Sequence, residues 1–134
     1  MLTESYIYLA SPYWNEDPAI RQKNATAVAK VASVLLLNKF PVYCPIAMGC
    51  YIQNSLPEDK QKLLDNPEVW SANEDYMIKH CDFVLLVTLD GWEKSNGVRR
   101  ETEIAKKYGK QVIRQPLDYF ADSNTKLGFA DLLK

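Results

Sequence analysis

The chain has 134 residues, enough for one domain with a single core, and its 47% hydrophobic and 25% charged content is that of an ordinary globular protein. A net charge of −1 with no basic run excludes an electrostatic footprint for duplex nucleic acid, and no apolar stretch is long enough to span a bilayer. The opening MLTESYIYLASP lacks the basic and apolar regions of a signal peptide, so a cytoplasmic location is expected.

Residues 5–11, SYIYLAS, read as a first strand that Pro12 ends. The loop SPYWNEDP is polar and aromatic together; Tyr13 and Trp14 either cover the sheet end or stack on a planar ligand ring. A helix is expected from about Pro18 to about Asn38, with Val28, Val31, Ala32, Leu35 and Leu36 facing the sheet. Arg21 lies in its first turns, where the helix dipole disfavours a cation, so it is either a tolerated surface charge or a phosphate-facing one. Residues 41–46, PVYCPI, predict the second strand. The following region, 47–66, is long and punctuated by Gly49 and Pro57; a helical segment around Glu58–Leu64 and a lid over a site are its two expected contents. A helix over 68–80 then brings Trp70, Met77 and Ile78 to the core.

The stretch from Asp82 to Val112 organises the rest. Phe83–Leu89 is an apolar run suited to a fully covered parallel strand. Gly91, Ser95, Asn96 and Gly97 break it, Ser95 or Asn96 can cap the next helix, and Gly109 stops that helix with Lys106 and Lys107 in its last turn. On this helix Glu101 shares the apolar face of Val98, Ala105 and Tyr108 and has no charged residue three or four positions away. Glu103 has Arg99, Arg100, Lys106 and Lys107 at those offsets and reads as a surface ion-pair member. Glu101 therefore reads as a carboxylate turned inward, either structural or catalytic, just past the carboxyl end of a strand, where open α/β sheets bind ligands. A fourth strand, KQVIRQP, follows, and the tail ends in a helical turn or two with Phe129, Leu132 and Leu133 able to dock. The alternation of strands and helices predicts a single α/β domain over 1–134 with a parallel sheet.

Three cysteines, Cys44, Cys50 and Cys81, make an odd set without CxxC spacing, which disfavours a disulfide framework. His80 is the only histidine, and no local spacing supplies a metal site or a Cys–His catalytic pair, so neither a metal nor a cofactor is expected. GxGxxG and GxxxxGK[ST] are absent, as are a flavin phosphate nest and a phosphoacceptor acidic cluster in the first loop. The Ser95–Gly97 loop is left as the best anion site, with Ser95 either a plain helix cap or a phosphate ligand.

YLASPYW near the start, CPI at the second strand and DGWEKSNGVRRE after the third together resemble the nucleoside 2-deoxyribosyltransferase superfamily, across most of residues 6–113. The S-x-G-V-x-x-E element, here Ser95, Gly97, Val98 and Glu101, is the most specific part. The resemblance implies a three-layer αβα, flavodoxin-like (Rossmann-like) sheet of four to five strands and a homodimer or higher homo-oligomer. It implies Glu101 as the catalytic glutamate, Ser95 as phosphate ligand and Gly97 as the close-approach glycine. Glu74, or Asp75 beside it, would be the second acid, in the position eight residues before Asp82. Tyr8, Ala10, Ser11, Pro12 and Tyr13, with Arg21, Asp90, Trp92 and Asn96, would complete the substrate pocket.

The implied reaction is cleavage of the N-glycosidic bond of a nucleoside or its 5′-monophosphate, by hydrolysis or base exchange, through a covalent glycosyl-glutamate. The small-molecule ligand would be that nucleoside or nucleotide, with no nucleic acid and no membrane as partners. Two other readings stand beside it: a nucleotide-sensing module that turns nothing over, and a glycohydrolase acting on NAD-like dinucleotides.

Overall fold

Four strands lie side by side, all parallel, in the order β2-β1-β3-β4: β1 (Ile7–Ala10), β2 (Val42–Tyr43), β3 (Phe83–Val87) and β4 (Val112–Gln115). They belong to a computed structural model that describes residues 5–122, 124 and 126–133. Parallel strands need crossovers, and the sequence supplies a helix between each pair. Alternation along the two central strands decides what those helices cover. Ile7, Leu9, Phe83, Leu85 and Val87 face one layer, built by α1 (Pro18–Leu37), the turn 117–120 and α5 (Phe129–Leu132). Tyr8, Ala10, Val84 and Leu86 face the other, built by α3 (Pro67–His80) and α4 (Asn96–Lys107). The result is a three-layer, flavodoxin-like α/β fold. Among the described residues no helix is long and apolar enough to cross a membrane.

Each long helix starts where a short polar side chain can take an orphan backbone N–H. Asp17 accepts from Ala19 N–H at 2.9 Å before α1, and Asn66 accepts from Glu68 N–H at 3.0 Å before α3. Ser95 accepts from Val98 N–H at 3.2 Å before α4. Gly109 ends α4 with φ +67°, and Lys106 and Lys107 occupy the last turn as expected.

The second strand is shorter than 41–46, because Pro45 opens a helix instead of closing a strand. That helix, α2 (Pro45–Asn54), was not legible in the sequence, and it replaces most of the expected lid loop. Proline suits a first helical turn as well as a strand end, and Gly49 looks like a breaker. Gly49 is tolerated inside α2 because the Trp70 ring packs on it: a Cβ there would lie 3.2 Å from that ring. Trp70 is accordingly half-buried against α2 and donates Nε1–H to Leu64 O at 2.7 Å, outside the core clusters. The helical segment at Glu58–Leu64 is present as a 3₁₀ stretch over Glu58–Asp65.

Leu36 is exposed, unlike its neighbour Leu35, since α1 turns that position away from the sheet near its end. In the tail Leu132 is fully buried and Leu133 is exposed, while the docking expected of the Phe129 side chain lies outside what is described. Glu103 is exposed and makes no ion pair among the described residues; Arg100 and Lys107 pair with Glu74 and Asp75 on α3 instead.

A Cβ at Gly109 would meet no atom within 4 Å, so Gly109→Ala tests the left-handed turn alone. Urea unfolding should show a loss of about 1 kcal/mol at unchanged m-value; an unaltered midpoint would show that the turn relaxes freely.

Candidate active site

The carboxyl ends of β1 and β3 open into a cavity of about 590 Å³, the size of a small-molecule site. Its polar side is the start of α4, with Ser95, Asn96, Gly97, Arg100 and Glu101, joined by Asn73 and Glu74 from α3. Its other side is aromatic and apolar: Tyr13 and Trp14 from the first loop, Pro45, Ile46 and Gly49 from α2, and Trp70. Ser11, buried at the end of β1, lies between them.

Glu101 is only 5% exposed. The Ser95 cap sets the phase of α4, and that phase turns Glu101 inward with Val98 and Ala105. It is not the partnerless acid its own helix suggests. Tyr8, from the middle of β1, donates its hydroxyl to Glu101 Oε2 at 2.5 Å. Burial pushes the Glu101 carboxyl up to about 8; the Tyr8 hydrogen bond pulls the other way, the Glu74 charge raises it and the Arg100 charge lowers it. Burial, followed by the adjoining Glu101, likewise drives the Tyr8 phenol far above its ordinary value.

Glu74 is buried beside this pair. Both its oxygens accept from one guanidinium, Arg100 Nε at 3.3 Å and Nη2 at 3.1 Å. Asp75, one residue on, is turned roughly 100° around the helix and out of the cavity. It accepts from Tyr108 Oη at 2.7 Å and Lys107 Nζ at 3.3 Å. The Tyr108 hydrogen bond, then Lys107, holds its carboxyl below the ordinary range. Of the two acids left open in the sequence, Glu74 is the one in the cavity.

Seven expected site residues thus meet at one cavity: Ser11, Tyr13, Glu74, Ser95, Asn96, Gly97 and Glu101. Tyr8, Ala10 and Pro12 are buried beneath it and do not line it. Arg21 does not line it either: its Nη1 donates to Asn15 O at 2.5 Å and its guanidinium sits 5.7 Å from the Trp14 ring, bracing the aromatic loop. Asp90 is exposed outside the cavity, and Trp92 belongs to a separate shallow depression, with Arg114 over its ring at 5.5 Å.

Arg100, Asn73, Gln53, Asp65 and Lys94 also line the cavity and were missed as site residues. Arg100 stands one turn after Gly97, so the helix phase that exposed Glu101 could have found it. Gln53 shares the α2 face of Ile46, Gly49 and Cys50, a signal that needed the helix to be recognised first, whereas Asp65 ends a 3₁₀ stretch with no buried residue to mark its face. No group of three or more His, Cys, Asp and Glu side chains among the described residues could hold a metal ion.

Fold and site define a flavodoxin-like α/β domain with a cavity, one side polar and the other aromatic and apolar, at the carboxyl edge of its sheet. The chain belongs to the family described as "Domain of unknown function (DUF1937)", whose model matches residues 5–115. No curated protein matches it.

The folded protein keeps a proton on Glu101 that the unfolded chain releases near its ordinary value of 4.5. Between there and about 8 the native state binds more protons, so this group's contribution to stability falls as pH rises through that window. Glu101→Gln, which leaves an oxygen for Tyr8, should raise the thermal midpoint relative to wild type by more at pH 9 than at pH 5. The gap should correspond to a few kcal/mol on the order of magnitude. Parallel pH–stability curves would refute the buried acid.

Proposed function

We propose that this domain cleaves the N-glycosidic bond of a nucleoside or its 5′-monophosphate, with Glu101 as nucleophile. The observation that carries the reading is the placement of Glu101: buried, held by Tyr8, and lining a cavity of nucleotide size at the carboxyl edge of the sheet. The resemblance of Ser95, Gly97, Val98 and Glu101 to the nucleoside 2-deoxyribosyltransferase motif supports it independently.

In this reaction the Glu101 carboxyl first gives up its proton to water. The ionised oxygen then bonds to C1′ as the C1′–N bond breaks, and the bonding pair leaves with the base. The leaving base takes one proton. Water or a second base then attacks C1′, the ester to Glu101 breaks, and the configuration is retained. The Tyr8 hydroxyl holds the reactive carboxylate in one rotamer and disperses its charge. Ser95 and the N–H groups at the start of α4 would take a phosphate, which is favoured at a helix N-terminus. Once an anionic ligand draws Arg100 away, Glu74 takes up a proton from solvent and passes it to the leaving base.

Exposed Met48, Tyr51 and Ile52 form one apolar stripe on α2 and support assembly into a homo-oligomer, which light scattering would read as a mass above 15.3 kDa. One observation favours binding without turnover: burial pushes the Glu101 carboxyl up to about 8, which disfavours the ionised form a nucleophile needs.

Chromatography of reactions with deoxynucleosides, deoxynucleotides and ribonucleotides should detect free base with wild type and none with Glu101→Gln. The pH profile of kcat/KM should rise toward about 8, since the nucleophile must be ionised. Ligand-induced thermal stabilisation with no base released at any pH would leave the sensor reading instead. Ser95→Ala should weaken monophosphates by about tenfold and leave nucleosides nearly unchanged; equal losses would remove Ser95 from phosphate binding.

A further inference from the structure

The aromatic side of the cavity carries a hydrogen-bonding bias of its own. Gln53 donates Nε2 to two groups, Gln61 O at 2.8 Å and Asp65 Oδ1 at 2.9 Å. Both partners only accept, so chemistry fixes which end of the amide is nitrogen, and both its N–H bonds are spent. Gln53 Oε1 and Asp65 Oδ2 receive no hydrogen bond among the described residues, and both residues line the cavity. The indole N–H of Trp70 on the same side is committed to Leu64 O at 2.7 Å. This wall therefore offers acceptors beside ring faces. Arg100, Lys94, Asn96 and the start of α4 on the other wall offer donors.

A ligand matched to both walls has an anionic end and, at its far end, a planar ring that donates. We infer that the cavity selects bases with an exocyclic amino group (guanine, adenine, cytosine) over uracil and thymine, and that Gln53 and Asp65 determine this choice. The inference rests on the cavity being a nucleotide site. Uracil and thymine offer a single N–H between two carbonyl oxygens, and those oxygens would face Gln53 Oε1 and Asp65 across the cavity. Unpaired acceptors set against acceptors are the repulsive element on which discrimination depends. An amino group meets them with two N–H bonds, and guanine adds the adjoining ring N–H.

Asp65→Asn inverts the bias. Its Oδ1 still accepts from Gln53, which leaves an NH₂ in place of the free carboxylate oxygen. Gln53→Met is the companion variant, removing the second acceptor without a charge change. The experiment takes the full-length protein with dGMP, dAMP, dCMP, dTMP and dUMP, measuring dissociation constants by calorimetry and base release by chromatography. Wild type should prefer the three amino-bearing nucleotides by about ten- to a hundredfold. Asp65→Asn should shrink that preference by about tenfold, chiefly by improving dUMP and dTMP.

Base release from all five at equal kcat/KM would overturn the inference and leave the proposed reaction standing. Amino-selective dissociation constants without any base release would uphold the inference and overturn the reaction. An unchanged preference in both variants would overturn the assignment to Gln53 and Asp65, and no binding of any of the five or of the matching deoxynucleosides would overturn inference and reaction together.

Discussion

A single hydrogen bond, from the Tyr8 phenol to the Glu101 carboxyl, ties the centre of the sheet to the helix that carries the cavity. An ionised carboxylate buried without a partner would cost several kcal/mol, so such a group either finds a donor or keeps its proton. Glu101 does both. Its donor comes from the strand face beneath α4. Tyr8 can serve because β1 is central: flanked by Tyr43 on one side and Val84 on the other, its side chain has no freedom to turn elsewhere. The phase of α4 matters equally. Were α4 rotated by one residue, roughly 100°, Val98, Glu101 and Ala105 would leave the sheet together and Tyr8 would lose its acceptor.

The same helical geometry divides neighbouring acids into different tasks. On α3, Glu74 faces the cavity and Asp75 faces the end of α4, so the two helices are fastened at two levels. The lower fastening, Asp75 with Lys107, is largely solvated and contributes little. The upper one, Glu74 with Arg100, is bidentate, better buried and set against Glu101. Its role reaches beyond packing. Glu74 adds negative charge beside Glu101 and Arg100 adds positive charge, so any ligand that draws Arg100 aside changes the field at the buried acid.

How much of this could be read from the chain depends on the range of the interaction. Local rules located α1, α3, α4 and all four strands, because apolar periodicity, Pro18 at a first turn, a cap at Ser95 or Asn96 and the stop at Gly109 act within a few residues. They also placed Glu101 on an inward face, since helical periodicity is a local property. They could not supply its partner, which lies 93 residues away in the chain, nor the Glu74–Arg100 pair, 26 residues apart. They failed at α2 for a different reason. That helix is specified by tertiary packing, the Trp70 ring on Gly49, against the local signals of a proline and a glycine. The first-loop residues show the limit of motif reading: Ser11 and Tyr13 reach the cavity, whereas Ala10 and Pro12 between and beside them are buried under it.

A carboxyl that holds its proton to about pH 8 looks unsuited to nucleophilic attack, yet the proposed chemistry turns this to use. Burial penalises the charged form only while nothing positive faces it. A sugar losing its base develops positive charge at C1′, a short distance from the carboxylate, and that charge stabilises the ionised form as the reaction proceeds. The attraction is weak to the neutral ground state and strong to the transition state, which is the condition for an interaction to raise kcat instead of only tightening binding. The low polarity around Val98 and Ala105 makes the attraction larger than it would be in water. Tyr8 keeps the acid from drifting toward any other donor meanwhile. The burial that makes Glu101 costly to ionise when no positive charge faces it is thus the same burial that would make it effective against a cationic sugar.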